Sequence, residues 1–184
     1  MKNKIKFNPQ VYIISGKISA GKTTFARKLA GELKRHNIAV GGIISEKVIS
    51  DSQVAGYNLL DIETNVSEIL LRRSDKVEKE RIGRFVIFAE GFEKGKAILT
   101  RVRRSDNTIA IIDEVGALEL GDKGWSSSLV DILKASDKQL LIIVRENLLS
   151  EVIRKWELCY PVVFKVSETD YLTAAKVIMD HLNA

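Results

Sequence analysis

Residues Gly16-Lys17-Ile18-Ser19-Ala20-Gly21-Lys22-Thr23-Thr24 fit the spacing G-x-x-x-x-G-K-[ST]. Before them stands a short apolar run, Val11-Tyr12-Ile13-Ile14-Ser15, with the character of a buried strand. After them Phe25, Ala26, Leu29, Ala30 and Leu33 recur at helical spacing. Strand, tight loop and helix start are the context this pattern needs, which weighs against a plain glycine turn capping a helix. In such a unit the loop amides and the helix N-terminus point at one place, and the helix dipole favours negative charge there. Gly16 and Gly21 allow backbone approach that a side chain would block. The expected ligand is a polyphosphate. Gly16, Lys17, Ser19, Ala20, Gly21, Lys22, Thr23 and Thr24 are its candidate contacts; Lys22 would reach the β- and γ-phosphates and the Thr23 hydroxyl would ligate Mg²⁺. The chain is expected to bind a nucleoside triphosphate.

A length of 184 residues suits one α/β domain, residues 1–184, with a substantial core. No apolar run approaches a membrane span; Phe85-Val86-Ile87-Phe88-Ala89 is only a strand's worth. Met1-Lys2-Asn3-Lys4-Ile5-Lys6 is basic but leads into no signal-type apolar region with a cleavage site. Cys159 is the single cysteine, so no intrachain disulfide framework forms, which fits a reducing cytoplasm. Its position beside Tyr160-Pro161, just ahead of a strand, predicts a buried structural thiol. The net charge of +5 raises the question of nucleic acid. The positive residues are dispersed among acidic ones between Arg72 and Arg84, and Arg101, Arg103 and Arg104 close a helix, where the dipole favours cations. A solvated face is the preferred reading over a nucleic-acid surface, since no basic stripe with interleaved aromatics is present.

Further along, the second half of Ile38–Ser45 reads as a strand, and residues 54–62 and 66–71 as a hairpin turning at Glu63-Thr64-Asn65. Residues 72–84 read as surface loop, and 85–88 as a strand followed by a helix through Phe92, Ile98, Leu99 and Val102. Thr108-Ile109-Ala110-Ile111-Ile112-Asp113 is continuously apolar and ends in carboxylates, as a central parallel strand covered on both faces should be. Strands are then expected at 139–144 and 162–166, with helices around Leu129, around Val152 and from Tyr171 to Leu182. Strands alternating with helices predict a three-layer α/β fold: a mainly parallel sheet, helices on both faces, and a small β-hairpin insertion.

Asp113-Glu114 stands where a strand of such a sheet would face ligand. Asp113 is the expected partner of Thr23 in holding Mg²⁺. Glu114, one residue on, is the candidate to orient or deprotonate an attacking water. Lys22, Glu114 and Arg145 are the candidate catalytic residues. For Arg145, which leaves the 139–144 strand on the ligand side, contact with the nucleotide and a plain surface position stand level.

Gly16–Thr24, the Gly41–Val48 segment, Ile82-Gly83-Arg84-Phe85-Val86 and Ile112-Asp113-Glu114-Val115-Gly116-Ala117-Leu118-Glu119-Leu120 together resemble the THEP-type nucleoside-triphosphatases, a family of P-loop NTPases. The stretch from Asp113 to Leu120 is the discriminating motif, because the phosphate loop is shared by a whole superfamily. The resemblance implies a P-loop NTPase fold and slow, Mg²⁺-dependent hydrolysis of ATP, GTP and related triphosphates with weak base selectivity. This chain departs from the family pattern at Ser45-Glu46-Lys47-Val48-Ile49, which lacks the usual arginine, and at Arg145-Glu146-Asn147. Glu46 matches the family and is expected near the site. Lys17 resembles the signature lysine of dimerising ATPases, although an exposed residue raising the local potential is the better fit. Arg84, Arg103 and Arg145 are candidates for an arginine finger in cis. The chain is expected to be a monomer or weak dimer. The rival readings are a small-molecule or nucleotide kinase on the same scaffold, a nucleotide-dependent switch, and a nucleic-acid-dependent ATPase.

Overall fold

Along β1 (Val11–Gly16) successive side chains enter opposite halves of the core. Tyr12 and Ile14 pack with α1 (Lys22–Arg35) and α6 (Tyr171–Leu182), while Val11 and Ile13 join the cluster formed with α2 (Ala89–Arg104), α4 (Ser126–Leu133) and α5 (Leu149–Lys155). The period-two geometry of a strand makes that division, and it explains why the strand is apolar throughout: both of its faces are covered. β7 (Ile109–Val115) repeats the pattern, with Ala110 and Ile112 in one cluster and Ile109 and Ile111 in the other. Each such fully buried branched side chain stabilises the fold by roughly 1.5–3 kcal/mol.

The computed structural model describes residues 10–74, 81–106, 109–135 and 138–183. Among these, nine strands form one sheet in the order β5 (Arg81–Ile82), β6 (Phe85–Ile87), β4 (Ser67–Arg73), β3 (Gln53–Asp61), β2 (Val40–Ser50), β7, β8 (Gln139–Arg145), β1 and β9 (Val162–Lys165). β2, β7, β8, β1 and β9 are parallel. β3, β4, β5 and β6 extend the sheet antiparallel beyond β2. A single-turn α3 (Ala117–Leu120) follows β7, and the longer helices cover both faces, giving the three layers that the alternation of elements predicted.

β2 is the joint between the two halves. Its first residues pair with β7, and from Ile43 onward it pairs with β3. Asp51 and Ser52, at φ 49° and 60°, form the two-residue turn between them, both residues in the left-handed conformation that such hairpins require. The strand is longer than its apolar segment predicted, because hairpin pairing carries it through the polar residues Glu46 and Lys47. Gly42 is needed where it stands: its φ is 121°, and a Cβ there would lie 2.0 Å from the Ile111 carbonyl oxygen.

The structure corrects two further expectations and leaves part of another outside the described residues. The 72–84 stretch is not simply loop: β4 runs on to Arg73, and Arg81–Ile82 pairs with β6, while residues 75–80 lie outside the described residues. Thr108, expected at the start of the central strand, also lies outside them. Cys159 is exposed, not buried. Left-handed residues Glu157 (φ 46°) and Tyr160 (φ 50°) bracket it in a turn ahead of β9 that leaves Tyr160 95 % exposed, and the chain becomes a strand only at Val162.

Away from the parallel core, the end of β3 is tied to α2. Arg101 donates through one nitrogen to both carboxylate oxygens of buried Asp61 at 2.8 Å, and Thr64 donates to the same carboxylate at 2.8 Å. Burial pushes the Asp61 carboxyl up, but Arg101, Thr64 and the Glu63 amide outweigh it and hold it below the usual carboxylate range.

Candidate active site

The phosphate-loop sequence folds as the turn between β1 and α1. Gly21 occupies the left-handed region at φ 85° as the N-cap of α1, and no side chain caps the helix. The first amides of that helix therefore have no intrahelical partner and are free for an anion. Lys22 is buried at the helix start, and its Nζ donates to the Gly16 carbonyl at 3.0 Å and the Lys17 carbonyl at 2.7 Å. Burial lowers its pKa, with the negative charges of Glu114 and Asp113 opposing that shift.

α1 packs on β1, β8 and β2, because the connection from β1 to β2 crosses β8 and β7. Its first turn thereby reaches β7, although β8 separates β7 from β1. Thr23 Oγ1 donates to Asp113 Oδ2 at 3.0 Å. The Ser45 amide donates to the same oxygen at 3.2 Å, and the Ser45 hydroxyl donates to the Asp113 main-chain carbonyl at 2.8 Å. Asp113 is 1 % exposed, and burial pushes its carboxyl up to about 7, against the Thr23 hydrogen bond and with the Glu114 charge adding to the rise. Both carboxylates lie within β7 rather than beyond its end, at an interruption of the β7–β8 ladder between Ile112 and Val115. Glu114 is half-buried, and its Oε1 lies 2.5 Å from Arg145 Nε at the end of β8.

These groups face one cavity of about 630 Å³. Ser19, Gly21, Lys22, Thr23 and Thr24 line it from the loop side, and Asp113, Glu114 and Arg145 from the strand side. Gly16, Lys17 and Ala20 do not line it: Gly16 closes β1 beneath the loop, and the Lys17 and Ala20 main chains form a turn, Ala20 N donating to Lys17 O at 3.2 Å. The Lys17 side chain is exposed. Glu46 lines the cavity and pairs with Arg27 on α1. Of the candidate fingers, Arg84 and Arg145 line the cavity, whereas Arg103 donates to the Asp131 carbonyl at the far end of α2.

Ser45 and Lys47 are site residues that sequence reasoning missed. Ser45 holds Asp113 from the neighbouring strand, and Lys47 Nζ donates to Ser19 Oγ in the loop at 3.2 Å. Their signal was the polar break after the apolar part of β2, which is intelligible only once β2 is known to pass the site.

A hydroxyl and a buried carboxylate side by side are hard oxygen donors, and no cation among the described residues pairs with the carboxylate. With phosphate oxygens and waters to complete the shell, this donor set fits Mg²⁺, which is seldom held by an all-protein cage. The described residues hold no cluster of acidic, His or Cys side chains that would do so alone.

Fold and site together define a nucleotide-binding protein of the P-loop class. A family model described as NTPase matches residues 11–176. The nucleoside-triphosphatase THEP1 of Methanocaldococcus jannaschii is 31 % identical over 145 residues, 79 % of this chain and 84 % of that protein. The THEP1 of Pyrococcus abyssi is 33 % identical over 139 residues, covering 74 % and 75 %. Among solved structures, a human cancer-related nucleoside triphosphatase superposes with a TM-score of 0.71 at 21 % identity, over 94 % of this chain and 97 % of that one. THEP1 from the hyperthermophile Aquifex aeolicus gives 0.71 at 19 % identity, over 95 % and 100 %. The chain belongs to the NTPase family, as the motif after its central strand suggested.

Proposed function

We propose that this protein hydrolyses ATP, GTP and related nucleoside triphosphates to the diphosphate and phosphate at the cavity between the phosphate loop and β7. The contact between Thr23 and Asp113 carries this reading, since it brings the two candidate metal ligands together beside Lys22 and Glu114. Thr23 and Asp113 would hold Mg²⁺, which neutralises phosphate charge when bound. Lys22 exchanges its loop carbonyls for the β- and γ-phosphate oxygens and, with the α1 amides, stabilises charge developing on them. Glu114 accepts a hydrogen bond from water and aims its oxygen at the γ-phosphorus, taking up a proton as the bond to the β–γ bridging oxygen breaks. Arg145 holds one oxygen of that carboxylate, leaving the other for the water. A slow rate is supported by the family likeness and by the engagement of Arg145 with Glu114, since a free finger is typically worth about 10³–10⁵ in rate.

Weak base selectivity is supported by the family likeness and by Arg145-Glu146-Asn147 standing where a guanine-selecting Asn/Thr-Lys-x-Asp motif would follow β8. A lone cysteine supports a cytoplasmic location, and the protein is proposed to act as a monomer or weak dimer.

Phosphate release from ATP, GTP, CTP and UTP with Mg²⁺ tests the reading. All four are expected to turn over, Lys22→Ala to lose both binding and turnover, and Glu114→Gln to bind nucleotide while losing about 10²–10⁴ in rate. Hydrolysis persisting in Glu114→Gln would overturn the role given to that carboxylate.

A further inference from the structure

Beyond Glu114, on the side away from the phosphate loop, lies a second cavity of about 470 Å³. Its volume falls within the range of small-molecule sites, about 300–1,000 Å³. Ser45, Tyr57, Arg84, Glu114 and Arg145 border both cavities. Leu71, Phe85, Phe92, Leu118 and Trp125 line only the second, so it turns apolar and aromatic as it leaves the catalytic side chains.

The aromatic wall is held in place by its neighbours. Phe92 and Trp125 stack with centroids 4.9 Å apart and planes 19° from parallel. Trp125 is seated against α2 at Gly95, where a Cβ would come within 2.5 Å of its ring. The buried Glu119 carboxylate accepts the Gly116 amide at 2.9 Å and the Trp125 amide at 3.0 Å, which ties the segment after β7 to the start of α4. A site whose walls are fixed in advance binds a ligand without the cost of ordering them.

One of the two arginines bordering the cavity has no ion partner among the described residues. Arg145 is paired with Glu114, whereas Arg84 makes no ion pair among the described residues and lies over the Phe85 ring at 5.2 Å. The Glu119 carboxylate lines the chamber too, but the Gly116 and Trp125 amides occupy its two oxygens, so among the described residues Arg84 is the charged side chain left without an ion partner, an arrangement complementary to a ring that carries a negative group.

We propose that this cavity is a second ligand site, taking a flat aromatic molecule with one anionic group, its ring along the Phe92–Trp125 wall and its charge on Arg84. The site adjoins the triphosphate cavity and shares Arg84 with it, but its aromatic wall lies outside that cavity, so both ligands bind at once. Binding here does not depend on the role of Glu114 in hydrolysis and is measured without turnover.

The test is calorimetric titration of the full chain with 2-naphthoate, alone and after saturation with MgADP. One 2-naphthoate per chain is expected, with MgADP leaving its binding in place. Uncharged 2-naphthalenemethanol, and 2-naphthoate against Arg84→Gln, should each bind about tenfold more weakly, the loss expected for one charge-assisted contact. Ala117→Trp places a large ring into this cavity from an exposed position that the triphosphate cavity does not share, and should abolish 2-naphthoate binding while MgADP still binds. Should that variant not fold, Phe92→Leu, which removes one ring of the wall, should weaken 2-naphthoate binding in its place. No saturable binding to the natural chain, displacement by MgADP, equal affinity for the uncharged analogue, or indifference to both cavity substitutions would overturn the proposal.

Discussion

Arg145 Nε lies 2.5 Å from Glu114 Oε1, where β7 and β8 run side by side to the edge of the triphosphate cavity. Each residue alone has an ambiguous place at a strand end; paired, one restrains the other. If Glu114 positions the water as proposed, Arg145→Ala should lower kcat on the order of 10²-fold by releasing that carboxylate, with KM for ATP little changed. Arg145→Lys should recover part of that loss, since it keeps the charge without the planar guanidinium. Steady-state phosphate release decides the matter: a raised KM at unchanged kcat would make Arg145 a nucleotide contact instead.

Asp113 makes a prediction in pH. Its carboxyl is raised from 3.8 to about 7, with burial as the main cause. Between those values the folded protein binds more protons than the unfolded chain, so this group's contribution to stability falls as pH rises from about 4 to about 7. Asp113→Asn should therefore unfold at a higher temperature than the natural chain at pH 8 without nucleotide, with the gap narrowing toward pH 4, while hydrolysis is lost. A cation at this carboxylate must displace the proton, so the Mg²⁺ needed for half-maximal rate should rise roughly tenfold between pH 8 and pH 6. Thermal melts and a Mg²⁺ titration at the two pH values check both statements.

Gly42→Ala puts a methyl group 2.0 Å from the Ile111 carbonyl oxygen, at φ 121°. Close approach and strained backbone together should cost about 3 kcal/mol. For a chain of this size that lowers Tm by roughly 6–12 °C. A melt shifted by less than a degree would show that β2 and β7 are not packed as described.

Arg101→Met leaves the buried Asp61 carboxylate without its main cation. A loss of about 2 kcal/mol is expected at pH 7. Because the folded-state pKa of Asp61 is depressed, the stabilisation is present above the ordinary carboxylate value and is lost as pH falls through the folded one. Urea unfolding of both proteins should accordingly converge in acid.

Much of the site was legible as text. The glycines and Lys22-Thr23 of the loop, and the carboxylates after Ile109–Ile112, are local signals whose chemistry follows from the order of residue types. Arg145 was legible as lying on the ligand side, but not as the partner of Glu114, since that depends on which strand neighbours β7. Ser45 and Lys47 stayed hidden for a related reason: they become site residues only because hairpin pairing carries β2 past the end of its apolar run. A place beside a strand does not bury Cys159, because left-handed residues Glu157 and Tyr160 shape a turn that keeps it outside.

The sequence by itself determined the alternation of strands and helices, the glycine-bounded loop before the first helix and the acidic pair late in the central strand, because each rests on spacing within a few residues. Only the tertiary structure decided that β8 stands between β1 and β7, that α1 crosses it to bring Thr23 onto Asp113, and that an aromatic chamber opens behind Glu114. Those relations join residues far apart in the chain. Strand order and the close fit of glycines such as Gly42 and Gly95 against distant groups establish them, and no local pattern encodes either.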